Sequence, residues 1–498
     1  MEQFRAESAC ERGFPSPQGH CEERMPTFPS PLPLTAFEEY MLRDDRPEYP
    51  MSIIARLRFA GELDREVTME ALATVVASHT LLRAKVHKTP AGRLKWIAAA
   101  DSPPVISWFD GMGHDRLPAM QPIDLFLEAG SKFWATADWQ QSSLVMQIHH
   151  ATCDGKAVFQ ILDDFVRSYA RISAGKQSTT QLSPFDPQCL PGRGSFGLTV
   201  GKYLRMLPLQ LLGLSRVGMF FLQRPVPLLE RIAAIPRALP AGFPEVKAAS
   251  LDVEEVRKLS AAAADAKVTV NDWLVRDFFV AIDDFRARHA TTTCGEWIRI
   301  AVPMDLRHEA GNRMPAANVV SMVFLDRTPK HIGDPAGLLR SIHAEMDSIR
   351  RRRLGLIFIV ALWGVRLLPG GLAKWVNRNC CETTCVLSNL GRVMAASPLP
   401  RCNERIVAGN VVLDGVDFFA PVRSGTAVSM ALVYYAGGLR LCMQYDSRRI
   451  TEAQADDLMA TCLRKIRAST DAASRSVHGC PTSGRVTSVA DPLLEITR

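Results

Sequence analysis

Residues 142–155, Ser-Ser-Leu-Val-Met-Gln-Ile-His-His-Ala-Thr-Cys-Asp-Gly, constrain this chain more than any other stretch. Leu144, Met146 and Ile148 alternate with Val145, Gln147 and His149, the period of a strand. After Gly155 the period changes: Ala157, Phe159, Ile161, Leu162, Phe165, Val166 and Tyr169 fall on one face of a helix. Two histidines thus stand at a strand end, before a tight turn that holds Asp154 and Gly155. Imidazole titrates near neutral pH, so His150 is a candidate general base. Asp154 is close enough to brace the turn, and Gly155 permits backbone that a side chain would block. The plainer alternative is a buried histidine pair with a packing role.

The run His149-His150-Ala151-Thr152-Cys153-Asp154-Gly155 resembles the HHxxxDG motif of the superfamily similar to chloramphenicol acetyltransferase. That group includes nonribosomal-peptide condensation domains, plant acyltransferases, polyketide-associated acyltransferases and wax ester synthases. With alanine third, the run looks most like the HHAxxDG form of the wax ester synthase/diacylglycerol acyltransferase group. The resemblance implies an α/β (α+β) architecture of two lobes, each a mixed sheet with flanking helices, and an active-site tunnel between them. It implies His150 and Asp154 as the catalytic pair, the aspartate orienting the turn, with His149 and Gly155 in support.

Further matches follow in order. His79-Thr-Leu-Leu-Arg83 resembles the condensation-domain RHxxLR, with Ser78 in place of the first arginine. Arg83 is read as a tunnel-lining or bracing residue or a solvated helix end, and His79 as structural. Asn271-Asp272 resembles the ND pair of wax ester synthases, and either Asn271 or Thr269 is placed to cap the helix that starts there. Pro303-Met-Asp305-Leu-Arg307 resembles PVxLR, which makes Arg307 the first choice of partner for Asp154, ahead of Arg83. Ser388-Asn389 resembles the SN-x-G segment near the tunnel floor, a substrate-binding position, though an ordinary turn reads the same way. The plant DFGWG segment is missing.

Around this frame, residues 1–31 and 468–498 read as a disordered leader and tail. Residues 32–174 form the N-terminal lobe, 175–246 a linker with an apolar crossover segment, and 247–467 the C-terminal lobe. The run 197–235 is apolar, but Pro208, Lys202, Arg205 and Arg216 interrupt the roughly 20 residues a spanning helix needs. Arg350–Arg353 precede a second apolar run, Leu354 to Leu362. Both fit a peripheral membrane contact or acyl-tunnel element, or simply interface helices. A net charge of +7 over 498 residues is mild: it allows attraction to phosphorylated cofactors or anionic lipid and does not point to nucleic acid. The twelve cysteines have no scaffold or zinc spacing, and no signal peptide is visible, so a reducing cytoplasm is expected, with the membrane surface as an option.

The function implied is transfer of an acyl group from a thioester, on coenzyme A or carrier-protein phosphopantetheine, to a small-molecule or lipid alcohol. His150 is the base, with no metal and no tightly bound cofactor. The alternatives are a free-standing condensation-like enzyme acting on a polyketide or peptide, and a non-catalytic module that binds a carrier protein or membrane.

Overall fold

The computed structural model describes residue 29 and residues 32–478, apart from 100–102, 110–116, 176–184, 197–200, 202–204, 206–217, 231–238, 241, 291–296, 308–313 and 379–380. The leader (Pro29 excepted), most of the 197–235 run, Cys380 and the end of the tail lie outside the described residues.

The first part of the chain gives β1 (Leu32–Pro33), α1 (Ala36–Asp44), β2 (Ser52–Ala60), α2 (Arg65–Ser78), β3 (Ala84–Lys88), β4 (Leu94–Ala98), β5 (Ile106–Phe109), β6 (Ser131–Ala137), β7 (Gln141–His149) and α3 (Gly155–Ser173). The second gives β8 (Glu245–Leu251), α4 (Val253–Asp265), α5 (Val270–His289), β9 (Ile298–Asp305), β10 (Val320–Arg327), α6 (Pro335–Arg351), α7 (Leu356–Leu367) and α8 (Gly371–Val376). After these come β11 (Cys385–Arg392), β12 (Arg401–Cys402), β13 (Arg405–Ala408), β14 (Val411–Phe419), β15 (Val428–Tyr435), β16 (Gly438–Tyr445) and α9 (Glu452–His478).

Two mixed sheets organise the molecule. One has the order β12-β13-β14-β2-β7-β6-β5, the other β10-β9-β11-β15-β16-β8. β7 lies inside the first sheet, and all of it beyond Gln141 is buried, which is why its sequence is apolar on both faces. Its antiparallel register with β2 sets Ser52 opposite His149, so the histidine turn leaves the sheet at a defined point. α3 then lays Ile161, Leu162, Phe165 and Val166 against the sheet, each of them fully buried. Burying a side chain of that size stabilises by about 1.5–3 kcal/mol.

Three boundaries differ from those read in the sequence. β12–β14 belong to the first sheet although they come from the second part of the chain: β14 pairs antiparallel with β2, from Val412–Ala60 to Phe419–Ile54. The stretch 185–196 is not a free linker, because Arg193 is buried and makes a two-pronged bond to Glu38, Nε to Oε1 at 2.6 Å and Nη2 to Oε2 at 2.7 Å. α9 continues to His478 rather than ending near 467. Its serines and threonines turn back on the helix, Thr470 donating to the Ile466 carbonyl at 3.0 Å, so a polar composition there does not signal disorder.

Candidate active site

The histidine turn is held by its own backbone. The His150 amide donates to the Met51 carbonyl at 2.7 Å, and the Thr152 amide to the His149 carbonyl at 2.8 Å. His149 is buried, and its Nδ1 accepts from the Ala151 amide at 3.0 Å, so it is spent on bracing the turn. His150 is partly exposed, with Nδ1 buried. Burial pushes its pKa below the usual imidazole value, and hydrogen bonding to the backbone and the nearby Asp154 charge only partly oppose this. The ring is therefore neutral at pH 7, the form a general base requires.

Asp154 has three engagements. One oxygen accepts from the Ala157 amide at 3.0 Å and caps α3; the other accepts from the Val319 amide at 2.8 Å. Arg307 pairs with the same carboxylate at 2.9 Å, and also bonds Asp305 at 3.2 Å and the Ala317 carbonyl at 2.9 Å. A carboxylate so occupied positions the turn and is not available for proton transfer. Arg83 does not line the chamber on which His150 opens. His79 is wholly buried, between Asp164 at 3.2 Å and the Ala316 amide at 3.2 Å.

His150 opens on a cavity of about 60 Å³ lined by Phe37, Met51, Gly155, Met322, Ser388 and Phe418, among others. The Phe37 ring meets the imidazole edge-on, its centroid 6.0 Å away. Gly155 is required here by close approach: a Cβ would lie 2.6 Å from Leu390 Cδ2 and 2.9 Å from Phe418 Cζ. Cys153 is buried, its thiol pushed well above the usual range by burial, and so is no nucleophile.

Asn271 and Asn389 line a second cavity of about 740 Å³. Pro303 lines both cavities, while Gly155 and Ser388 line the His150 chamber and their chain neighbours Lys156 and Asn389 line the larger one. The Ser388-Asn389 pair is thus split between the two spaces. Asn271 accepts from Asn389 Nδ2 at 3.0 Å, and Asn389 accepts from the Gly391 amide at 2.9 Å. Thr269, not Asn271, caps α5. Asp272 completes a capping box with Thr269 and holds His343 Nδ1 at 2.8 Å. A third, apolar pocket of about 480 Å³ lies between β10, α6, α7 and residues 219–223, and Met322 lines both it and the His150 chamber. α7, which lines it, exposes Val360, Trp363 and Leu367; Phe221, also on its wall, and Leu222 are exposed too.

One functional residue escaped the sequence reading. Asn318 is buried and donates from Nδ2 to the His150 and Ala151 carbonyls at 2.9 and 2.8 Å, holding the turn from the opposite lobe. Nothing local marks it, because its partners are backbone carbonyls far away in sequence.

Comparison with known proteins agrees with this geometry. The WS/DGAT C-terminal domain matches residues 316–467. The first condensation domain of the CDA synthetase superposes with a TM-score of 0.62 at 16% identity, covering 89% of this chain and 96% of that one. The chain shares the two-lobed, chloramphenicol acetyltransferase-like fold of this condensation domain. Polyketide synthase associated protein 5 from Mycobacterium tuberculosis gives a TM-score of 0.57 at 15% identity, covering 89% and 98%. A mutant starter condensation domain of rhizomide synthetase, in complex with C8-CoA and Leu-SNAC, gives 0.59 at 14%, covering 89% and 95%. No curated protein matches the chain. The superfamily fold and the WS/DGAT match support an acyltransferase or condensation-like function. Among the described residues no helix is long and apolar enough to cross a membrane.

Proposed function

We propose that the protein transfers an acyl group from a thioester to the hydroxyl of an apolar acceptor, with His150 as general base. The observation that carries this reading is the placement of His150, on a turn held by Asp154, Arg307 and Asn318, in a chamber flanked by a polar cleft and an apolar pocket. The acceptor oxygen attacks the thioester carbonyl as its proton passes to Nε2 of His150, the nitrogen left when Nδ1 is buried. The new C–O bond forms, the C–S bond breaks, and the thiolate leaves with the proton from His150. The products are an ester and a free thiol. The Gly155 amide, at the N-terminus of α3, is the candidate donor to the intermediate oxyanion.

The apolar pocket supports a lipid chain on one substrate, and the exposed apolar side chains of α7 support its delivery from a lipid surface. The test is thiol release from acyl thioesters of increasing chain length, with diacylglycerol or long-chain alcohol presented in vesicles, for wild type and His150→Ala. General-base assistance contributes roughly 10²–10⁴-fold, so the variant should lose that much turnover with its melting temperature unchanged. Equal turnover by the two proteins would refute the assignment. The likeness to condensation domains supports a second reading, a free-standing condensation-like enzyme with a peptide or polyketide acceptor. Thiol release only with an amine acceptor would favour it.

A further inference from the structure

A buried glutamine that serves only the fold has its hydrogen-bonding atoms occupied, and Gln147 on β7 is of this kind. Its Nε2 donates to Ser52 Oγ at 3.1 Å and to the Gln121 carbonyl at 2.6 Å, while its Oε1 accepts from the Gln121 amide at 3.1 Å. Gln444 on β16 stands in a similar run, Leu441-Cys-Met-Gln444 against Leu144-Val-Met-Gln147, and is just as buried. Yet neither Nε2 nor Oε1 of Gln444 has a hydrogen-bond partner among the described residues, and nor does Oγ of its cross-strand neighbour Ser429. Ser429 is 1% exposed and Gln444 0%. Polar atoms buried without partners cost stability, and here they gather in one place.

That place adjoins His150. Strand register puts Val386, Ser429, Gln444 and Val246 in one row across β11, β15, β16 and β8, on the same face of the sheet. Val386 and Ser429 line the His150 chamber, so the row leads from its wall to Gln444. The other charged groups on that wall are engaged, Asp154 with Arg307 and Arg423 with Asp44. His150 comes from the first sheet and Ser429 from the second, so a molecule held between them meets the base on one side and an unspent hydroxyl on the other. The chamber, about 60 Å³, takes roughly four to six water-sized groups at about 10–15 Å³ each. It has room for the reacting carbon and a few atoms beyond it.

We propose that Ser429 and Gln444 form a polar subsite for a second hydroxyl of the acceptor, which makes the preferred acceptor a 1,2- or 1,3-diol with an apolar tail rather than a simple alkanol. The inference rests on the acyl-transfer reading and names the acceptor class within it. The Gln444 carboxamide offers a donor at Nε2 and an acceptor at Oε1, and the serine hydroxyl serves as either. An ether or ester oxygen only accepts and would leave Oε1 unpaired, whereas a hydroxyl both donates and accepts. The small chamber sets the second hydroxyl close to the first. A site built to bond a substrate hydroxyl rejects the analogue that lacks it, because the site's own buried groups then stay unpaired.

The test measures kcat/KM for the full-length protein with one acyl thioester and acceptors of equal chain length: the 1-alkanol, its 1,2- and 1,3-diols, its α,ω-diol and its 2-methoxy ether. At least one of the two close diols should exceed the alkanol, the α,ω-diol and the ether by roughly tenfold or more. In Ser429→Ala and in Gln444→Met the ratio of diol to alkanol should fall roughly tenfold, as for loss of a hydrogen bond. Both melting temperatures should hold or rise, since each replacement removes unpaired polar atoms from the interior. Equal kcat/KM for diols and alkanol in the wild type, or variants that slow every acceptor alike, would overturn the inference while leaving acyl transfer intact. Thiol release with no acceptor at all would refute acyl transfer, and calorimetry with the diols then decides the subsite: binding weakened roughly tenfold by Gln444→Met upholds it, and no binding overturns it as well.

Discussion

A base that works at neutral pH must stay unprotonated until the acceptor arrives, and for His150, the proposed base, burial of the ring favours the neutral form. Because burial lowers the pKa, kcat/KM should rise with pH through a value below the ordinary 6.5 and be level by neutrality. A pH–rate profile with its limb above 6.5 would contradict the neutral-base assignment. The same shift has a stability consequence: the unfolded chain binds the proton more readily, so His150's contribution is complete above 6.5 and is lost as pH falls through the lowered folded value. Arg307 acts on this histidine through Asp154. Arg307→Ala leaves a buried carboxylate without its counter-charge and should cost about 3 kcal/mol in a urea melt, and Arg307→Lys should recover part of it. At this scale much was legible. His150, Asp154 and Arg307 stand in recognisable local patterns, whereas Asn318 does its work through carbonyls that only the tertiary fold brings near.

The element on which the site depends most is the junction of β7 and α3. The switch from an alternating to a helical period announces it in the sequence, but not how little room surrounds it. Gly155→Ala would drive a methyl against Leu390 and Phe418. Overpacking of this kind typically costs 1–3 kcal/mol or so. We expect a lower melting temperature and a loss of thiol release beyond what the stability change explains, because the turn that carries His150 must shift. Elements with weaker periodicity were read less well. The sequence left the cap of α5 open between Thr269 and Asn271, and it is Thr269, two positions earlier, whose oxygen accepts from the Asp272 amide at 3.1 Å. The 185–196 segment looked like linker because its composition is polar, yet a buried arginine fixes it to α1. Composition records polarity, and it is blind to a partner elsewhere in the chain.

Across the whole molecule, the two sheets are tied together by Asp417 on β14. It bonds Arg56 on β2 at 2.6 Å and Arg440 on β16 at 2.8 Å, with Arg58 3.6 Å away. Burial alone would raise its pKa, but these three arginines hold the carboxyl below its usual range. Asp417→Asn should therefore leave arginines uncompensated at the seam and destabilise by about 3–5 kcal/mol, read as a shift in the urea midpoint. The two-lobed architecture could be anticipated from family resemblance. The exchange of β12–β14 into the first sheet could not, because strand pairing over such a sequence distance leaves no local periodicity to read. That exchange also bears on how the chain is made. β2 acquires its β14 neighbour only after Phe419 has been synthesised, and Ala60 pairs with Val412. At about 5–20 residues per second, a ribosome spends roughly twenty seconds to a minute between those positions. For that interval β2 lacks its β14 neighbour, and an unpaired strand edge is a template on which another chain can pair.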